Sequence, residues 1–304
     1  MNGPALPSGR QVRLRAGRCA AVVVESGATL RSLTREGRPL LAGFAEDAMA
    51  SSGRGQVLMP WPNRIEDGRY DFAGTRNQLP LSEPAKHNAS HGLVRWQSWR
   101  LEQLDESAVA AHLHLLPSPG YPFDLQLRVE YALHDRGLTV TATTTNLGAQ
   151  EAPYGHGFHP YLCSGAGPVD EWTLQLPARR MCRVDHRGLP GAAEPVDAEH
   201  DFTAARRIGS LQLDNPFTDL VRDTDGLARV RVTGPGAAPV TLWLDEHHRW
   251  VQVFTGDQLP DRAARQALAV EPMTCPPNAF RSGTDLMRLA PSQVRTARWG
   301  ITSG

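Results

Sequence analysis

Two short segments, far apart in the chain, each hold an ionisable side chain inside a proline-punctuated frame: Gly157-Phe158-His159-Pro160-Tyr161 and Val270-Glu271-Pro272-Met273-Thr274. Pro160 biases His159 toward extended backbone, and the glycines around it permit close approach of the chain. An imidazole fixed in this way is suited to donating a proton near neutral pH. Glu271 follows the apolar run Leu268-Ala269-Val270. Burial there raises a carboxyl's proton affinity and a neighbouring cation lowers it again, a balance that suits a general base. Each residue also has a structural reading: a hydrogen-bonded histidine at a strand end, and a strand-end glutamate paired with an arginine.

Two further segments, Met59-Pro60-Trp61-Pro62-Asn63-Arg64-Ile65 and Asn88-Ala89-Ser90-His91-Gly92, carry groups that recognise rather than react. Arg64 offers a planar fork of donors for vicinal hydroxyls or a carboxylate. Trp61 and Trp96 offer flat apolar faces on which a sugar ring can lie, with core packing as the alternative for each. Asp214, in Leu213-Asp214-Asn215-Pro216-Phe217, is expected to precede a turn, where an Asx turn or cap is its other use. Together these groups point to an enzyme that moves protons on a polyhydroxylated substrate. Metal is not expected. His156 and His159 lack a helix to align their spacing, no H-E-x-x-H motif occurs, and His112 and His114 share a face expected to be solvated. No role is assigned to His156.

The 304 residues are 40% hydrophobic, enough to bury a substantial core, and the formal net charge is zero. Binding to nucleic acid or to an anionic membrane through bulk charge is therefore not expected. Lys86 is the only lysine; the arginine excess is read as genome composition rather than as a phosphate site. Cys19, Cys163, Cys182 and Cys275 form no C-x-x-C pair, which fits reduced thiols rather than a disulfide framework or structural zinc. Met1-Asn2-Gly3-Pro4 leads into no apolar signal core, and runs such as Ala20 to Val24 are too short to span a bilayer. The expectation is a cytoplasmic protein, a monomer or weak homodimer.

The elements that must position these residues read as strands. Leu125, Leu127, Val129, Tyr131 and Leu133 alternate with Gln126, Arg128 and Glu130; His134-Asp135-Arg136-Gly137 forms a turn, and Leu138, Val140 and Ala142 resume the alternation. This pattern predicts an antiparallel hairpin. Further strands are predicted over Gln11–Arg15, Ala20–Glu25, Trp99–Leu104, Ala108–Leu116, Trp172–Leu176, Ala228–Thr233, Val240–Asp245, Trp250–Thr255 and Val294–Trp299. Short turns are predicted over Ala204–Gly209 and Asp261–Arg265, with surface excursions over Ser164–Asp170 and Arg187–His200. The expected fold is all-β: one domain over residues 1–304, a large twisted antiparallel β-sandwich with minimal helix.

In this order and spacing the motifs resemble those of the aldose 1-epimerases, or mutarotases. The matching frame is Asn63-Arg64-Ile65 with Asp67-Gly68-Arg69-Tyr70, then His91-Gly92, His159-Pro160-Tyr161, Asp214 and Glu271, covering about residues 10 to 300. The resemblance implies a galactose mutarotase-like supersandwich that binds a small sugar and needs no cofactor or metal. Glu271 would remove the anomeric hydroxyl proton and His159 would protonate the ring oxygen. Arg64, His91, Asp214, Asn63 and Trp61 would bind the sugar. These roles imply a bell-shaped pH profile, with Glu271 losing its proton on the ascending limb and His159 on the descending one.

Leu93 stands where the galactose enzymes tend to have a second glycine, and Pro62 where they tend to have a polar residue. The chain is thus closer to a less specialised bacterial branch, some of whose relatives act on phosphorylated or sulfonated sugars. Galactose or glucose is a default. The competing functions are a sugar-binding or sensor protein on the same scaffold, which would typically have lost the acid or the base, and a glycosidase using Asp214 and Glu271.

Overall fold

In the computed structural model the described residues are 6–260 and 263–304. Met1 to Pro4 and Asp261, at the start of the second expected turn, lie outside them. Among the described residues the regular structure is almost all antiparallel sheet, with one short α-helix, Ala279–Ser282, and two single 3-10 turns.

The hairpin read from the alternation forms the centre of a nine-stranded sheet. Leu125–His134 pairs along its length with Gly137–Asn146, with His134 opposite Gly137 across Asp135-Arg136. Gly137 (φ 151°) has to be glycine: a Cβ there would stand 1.9 Å from the carbonyl oxygen of Ile301 on the adjoining strand. The sheet extends through Ala108–Leu115 to Arg100–Gln103 on one side, and on the other through Val294–Ser303, Val240–Leu244, Ala228–Thr233 and Thr173–Gln175. Arg206–Arg207, inside one expected turn, instead adds a two-residue edge strand against Thr173-Leu174.

A second sheet carries the groups with chemistry. Its order runs Pro190–Pro195, Ala178–Val184, Asp214–Leu220, Trp250–Phe254, Leu268–Met273, Gly157–Phe158, Val57–Leu58, with Tyr161–Leu162 also pairing to Leu268–Met273. Here the structure corrects two expectations. Part of the Arg187–His200 excursion is an edge strand, and Asp214 opens a strand rather than preceding a turn. Pro216 tolerates this because the neighbouring strand starts pairing only at Phe217, so the missing N–H of Pro216 leaves no gap on that side.

The apolar faces of the two sheets meet in a core to which alternate residues contribute; Phe158 of one sheet packs against Trp299 of the other at 5.1 Å. A four-stranded N-terminal sheet, Gln11–Ala16 to Arg38–Pro39, is tied to the hairpin by the Tyr131 hydroxyl, which donates to the Ala28 carbonyl at 2.7 Å. No helix among the described residues is long and apolar enough to cross a membrane.

Candidate active site

Strand register brings the two proton-moving candidates together. Gln252 lies opposite Glu271, and one step along, Asp214, Phe254, Ala269 and Tyr161 form a row across four strands. Side chains two residues apart on a strand share a face, so Asp214, Gln252, Glu271 and Tyr161 all belong to one surface of this sheet. His159 sits between the Gly157–Phe158 and Tyr161–Leu162 pairings, where Pro160 interrupts the ladder. The result is direct contact: His159 Nε2 lies 3.3 Å from Glu271 Oε1, with the residues 6% and 2% exposed. They line a groove of about 370 Å³ that also takes in Asn63, Arg64, His91 and Asp214.

The loop Met59–Asn63 and the segment Asn88–Gly92 close one wall together. Arg64–Glu66 pairs with Asn88–Ser90; the chain enters the first strand through left-handed Asn63 (φ 52°) and leaves the second through left-handed His91 (φ 62°). The two lock reciprocally: the His91 N–H donates to the Asn63 carbonyl at 2.8 Å, and the Asn63 N–H donates to His91 Nδ1 at 3.2 Å. Because Nδ1 accepts, Nε2 of a neutral His91 carries the hydrogen. Burial, with Arg95, His159 and Arg64 nearby, holds this imidazole well below its usual pKa, so it remains a neutral donor. Gly92 supports the same wall: a Cβ there would clash with the Met59 carbonyl oxygen at 1.9 Å.

The electrostatics of the central pair invert the usual order. Burial, reinforced by Asp214, pushes the Glu271 carboxyl well above the normal carboxylate range against the opposing pull of Arg64. Burial, reinforced by Arg95, pulls His159 down to about 3. Both effects have one source: a charge on either group is poorly solvated at the floor of this groove. In a pair this close the two limbs of a pH profile belong to both groups together, and not one limb to each residue. The imidazole gains its extra proton only in acid, and the carboxyl keeps its own into a higher range.

Other expectations are altered by the packing. Arg64 does not present a free fork. Its Nε and Nη2 donate to the two carboxylate oxygens of Glu83 at 2.7 and 3.1 Å. Burial works against its charge, and the Glu83 bond, with Asp214 and Glu271, more than offsets that. Trp61 offers no face to a ligand: it is 2% exposed, part of the core and edge-on to Phe280 at 5.6 Å. Trp96, 52% exposed, lines the groove instead. Asp214 is held by the Gln252 amide, which donates to it at 2.7 Å.

Glu83, Arg95 and Gln252 were not singled out from the sequence. Only Gln252 left a signal there, as the one polar residue inside Trp250-Val251-Gln252-Val253-Phe254. His156 lies outside the groove, edge-on to the buried His248 at 5.2 Å. Among the described residues no group of three or more His, Cys, Asp or Glu side chains is arranged to hold a metal ion.

Comparison with known proteins places this geometry in context. A family profile described as aldose 1-epimerase matches residues 10–302. The uncharacterized protein YihR of Escherichia coli is 40% identical over 284 residues, which is 93% of this chain and 89% of that protein. Among solved structures, the GalM/aldose epimerase homologue from C. elegans superposes with a TM-score of 0.85 at 19% identity, covering 97% of this chain and 98% of the other. A putative aldose 1-epimerase from Escherichia coli K12 superposes with a TM-score of 0.82 at 20% identity, covering 97% and 99%.

Proposed function

The chain belongs to the aldose 1-epimerase family, and from that premise we propose that it interconverts the α and β anomers of an aldose by acid–base ring opening. The observation that carries this reading is the 3.3 Å contact between His159 and Glu271 at the floor of a polar groove. Glu271 takes the anomeric hydroxyl proton while His159 delivers one to the ring oxygen. The C1–O bond of the ring breaks, its electron pair goes to the ring oxygen, and C1 becomes an aldehyde. Rotation about C1–C2 presents the other face, and reclosure runs the same proton transfers backwards.

The pair holds one proton in both half-reactions: imidazolium with carboxylate before opening, imidazole with carboxylic acid after it. Burial disfavours the charged combination, so the free protein rests in the second form, and a proton shift across the contact supplies the first. Turnover then falls in acid as the pair gains a second proton, and in alkali as it loses its only one. The apparent pKa values belong to the pair. Arg64 through its remaining Nη1, the Nε2–H of His91, the side chain of Asn63 and the Asp214 carboxylate bind ring hydroxyls. No step requires a metal or cofactor. The site draws on residues from Asn63 to Glu271, and the chain works as one domain.

The deciding experiment is NMR exchange spectroscopy of anomers. His159→Asn should slow interconversion by roughly 10²–10⁴-fold with sugar binding retained. Near-wild-type exchange in the folded variant would return the chain to the binding-protein reading.

Arg95 favours a narrower version. It is a half-buried groove-lining cation with no carboxylate partner among the described residues, its closest side-chain bond being a 3.5 Å contact with Gln56. Burial works against its charge and only the more distant Glu83 carboxylate supports it, so a guanidinium in this position suits a phosphorylated or sulfonated aldose. A panel of neutral, phosphorylated and sulfonated aldoses tests it: Arg95→Ala should raise KM for the charged sugar and leave that for the neutral one unchanged.

A further inference from the structure

A histidine that moves protons is usually oriented through its second ring nitrogen, which bonds a carboxylate or a backbone carbonyl. His159 is not. Its Nε2 faces Glu271, and its buried Nδ1 has no hydrogen bond of ordinary geometry among the described residues, only an interaction with its own backbone. An imidazole that no partner residue holds at its second nitrogen swings about its χ angles unless packing stops it.

The packing that stops it comes from His91, whose ring stands edge-on to the imidazole at 5.5 Å, and, on its other sides, from one short segment, Ser51-Ser52-Gly53-Arg54-Gly55-Gln56, and from Tyr161. The Tyr161 ring stacks on the imidazole with 5.0 Å between centroids and 12° between planes. At the imidazole edge stands the backbone of Gly53, so close that a Cβ there would lie 2.4 Å from His159 Cδ2 and 2.8 Å from Nε2. The segment is itself tied to the histidine. The Gly55 N–H donates to the His159 carbonyl at 2.9 Å, and the His159 N–H donates to the Gln56 carbonyl at 3.1 Å. The Tyr161 hydroxyl donates to the Ser52 carbonyl at 2.9 Å, and the Arg54 guanidinium covers the Tyr161 ring at 4.9 Å.

We infer that this segment and Tyr161 form a vice that aims His159 by steric contact instead of by hydrogen bonding, with Gly53 and Tyr161 as positioning residues. The inference rests on the proposed role of His159 as the acid. Gly53 is suited to it twice over: its φ of 78° favours glycine, and the absent side chain is what lets the backbone touch the ring. Any residue with a Cβ at 53 has to push the imidazole away from Glu271 or distort the segment.

The test is a set of double-mutant cycles read by anomer-exchange kinetics. Gly53→Ala and Tyr161→Leu should each lower kcat by roughly 10–100-fold, as expected for a misaimed catalytic group, with KM within about threefold of wild type. Tyr161→Phe keeps the stacked ring and should retain kcat within about threefold. In a His159→Asn background, Gly53→Ala and Tyr161→Leu should cost no more than about a further twofold, because a residue that acts only through His159 has nothing left to position. Losses that multiply in that background would overturn the vice. Full kcat in folded Tyr161→Leu would overturn it too, even if Gly53→Ala fails to fold. Wild-type exchange in His159→Asn alone would instead overturn the acid assignment, and the vice with it.

Discussion

Replacing Glu271 with glutamine should remove turnover and raise stability at the same time. The residue is 2% exposed, and its Oε2 has no partner among the described residues. Burial, with Asp214 adding to it, lifts its pKa well above 4.5 in spite of Arg64. A carboxyl with a higher pKa folded than unfolded holds its proton more tightly in the native state. Its stabilising contribution is therefore complete below pH 4.5 and is lost as the pH rises toward the folded value. Glutamine has no such loss. The two proteins should be equally stable near pH 4, and above it the difference should open in the variant's favour at about 1.4 kcal/mol per pH unit until the folded value is passed. For a chain of this length that is about 2 °C in Tm per pH unit. Over the same range, exchange should be roughly 10²–10⁴-fold slower, or about 3–5 kcal/mol of barrier. Urea melts from pH 4 to 8 followed by tryptophan fluorescence, beside exchange spectroscopy on the same samples, read both effects. Parallel stability curves for wild type and variant would refute the raised carboxyl. Near-wild-type exchange in a folded variant would refute the base.

His156 should make the protein acid-sensitive. Burial, with His248 adding to it, holds its pKa well below 6.5 against the opposing pull of Asp245, so its contribution is full above pH 6.5 and is lost as the pH falls. His156→Phe should flatten the urea-melt slope below pH 6.5 by up to about 1.4 kcal/mol per pH unit. Glu83→Gln frees the Arg64 fork from its carboxylate and lets the guanidinium move; KM should rise by roughly 3–30-fold, more than kcat falls, in steady-state exchange kinetics. The two tryptophans should separate cleanly. Trp61→Ala opens a hole in the core and should cost about 3–5 kcal/mol in denaturant melts, whereas Trp96→Ala should leave stability within about 0.5 kcal/mol and raise KM.

What the sequence determined is what depends on neighbours along the chain. The alternation from Leu125 to Ala142 specifies a hairpin because side-chain period and turn chemistry are both local, and the structure reproduces it with His134 opposite Gly137. The proline and glycine frames around His159 and Glu271 are local too, which is why both residues could be picked out before any fold was known.

What tertiary structure decided is what depends on residues brought from elsewhere. Trp61 and Trp96 look alike in sequence, and only the arrival of Phe280 beneath one of them separates core from groove. Asp214 reads as a turn residue because Asn-Pro follows it; it opens a strand because the neighbouring strand starts pairing beyond Pro216. Arg64 reads as a free fork, and Glu83 reaches it through the chain reversal that pairs Glu83 with Asn88. The exchange of proton affinities between His159 and Glu271 belongs to neither residue's type. It arises because the fold buries both in contact, where water no longer stabilises either charge.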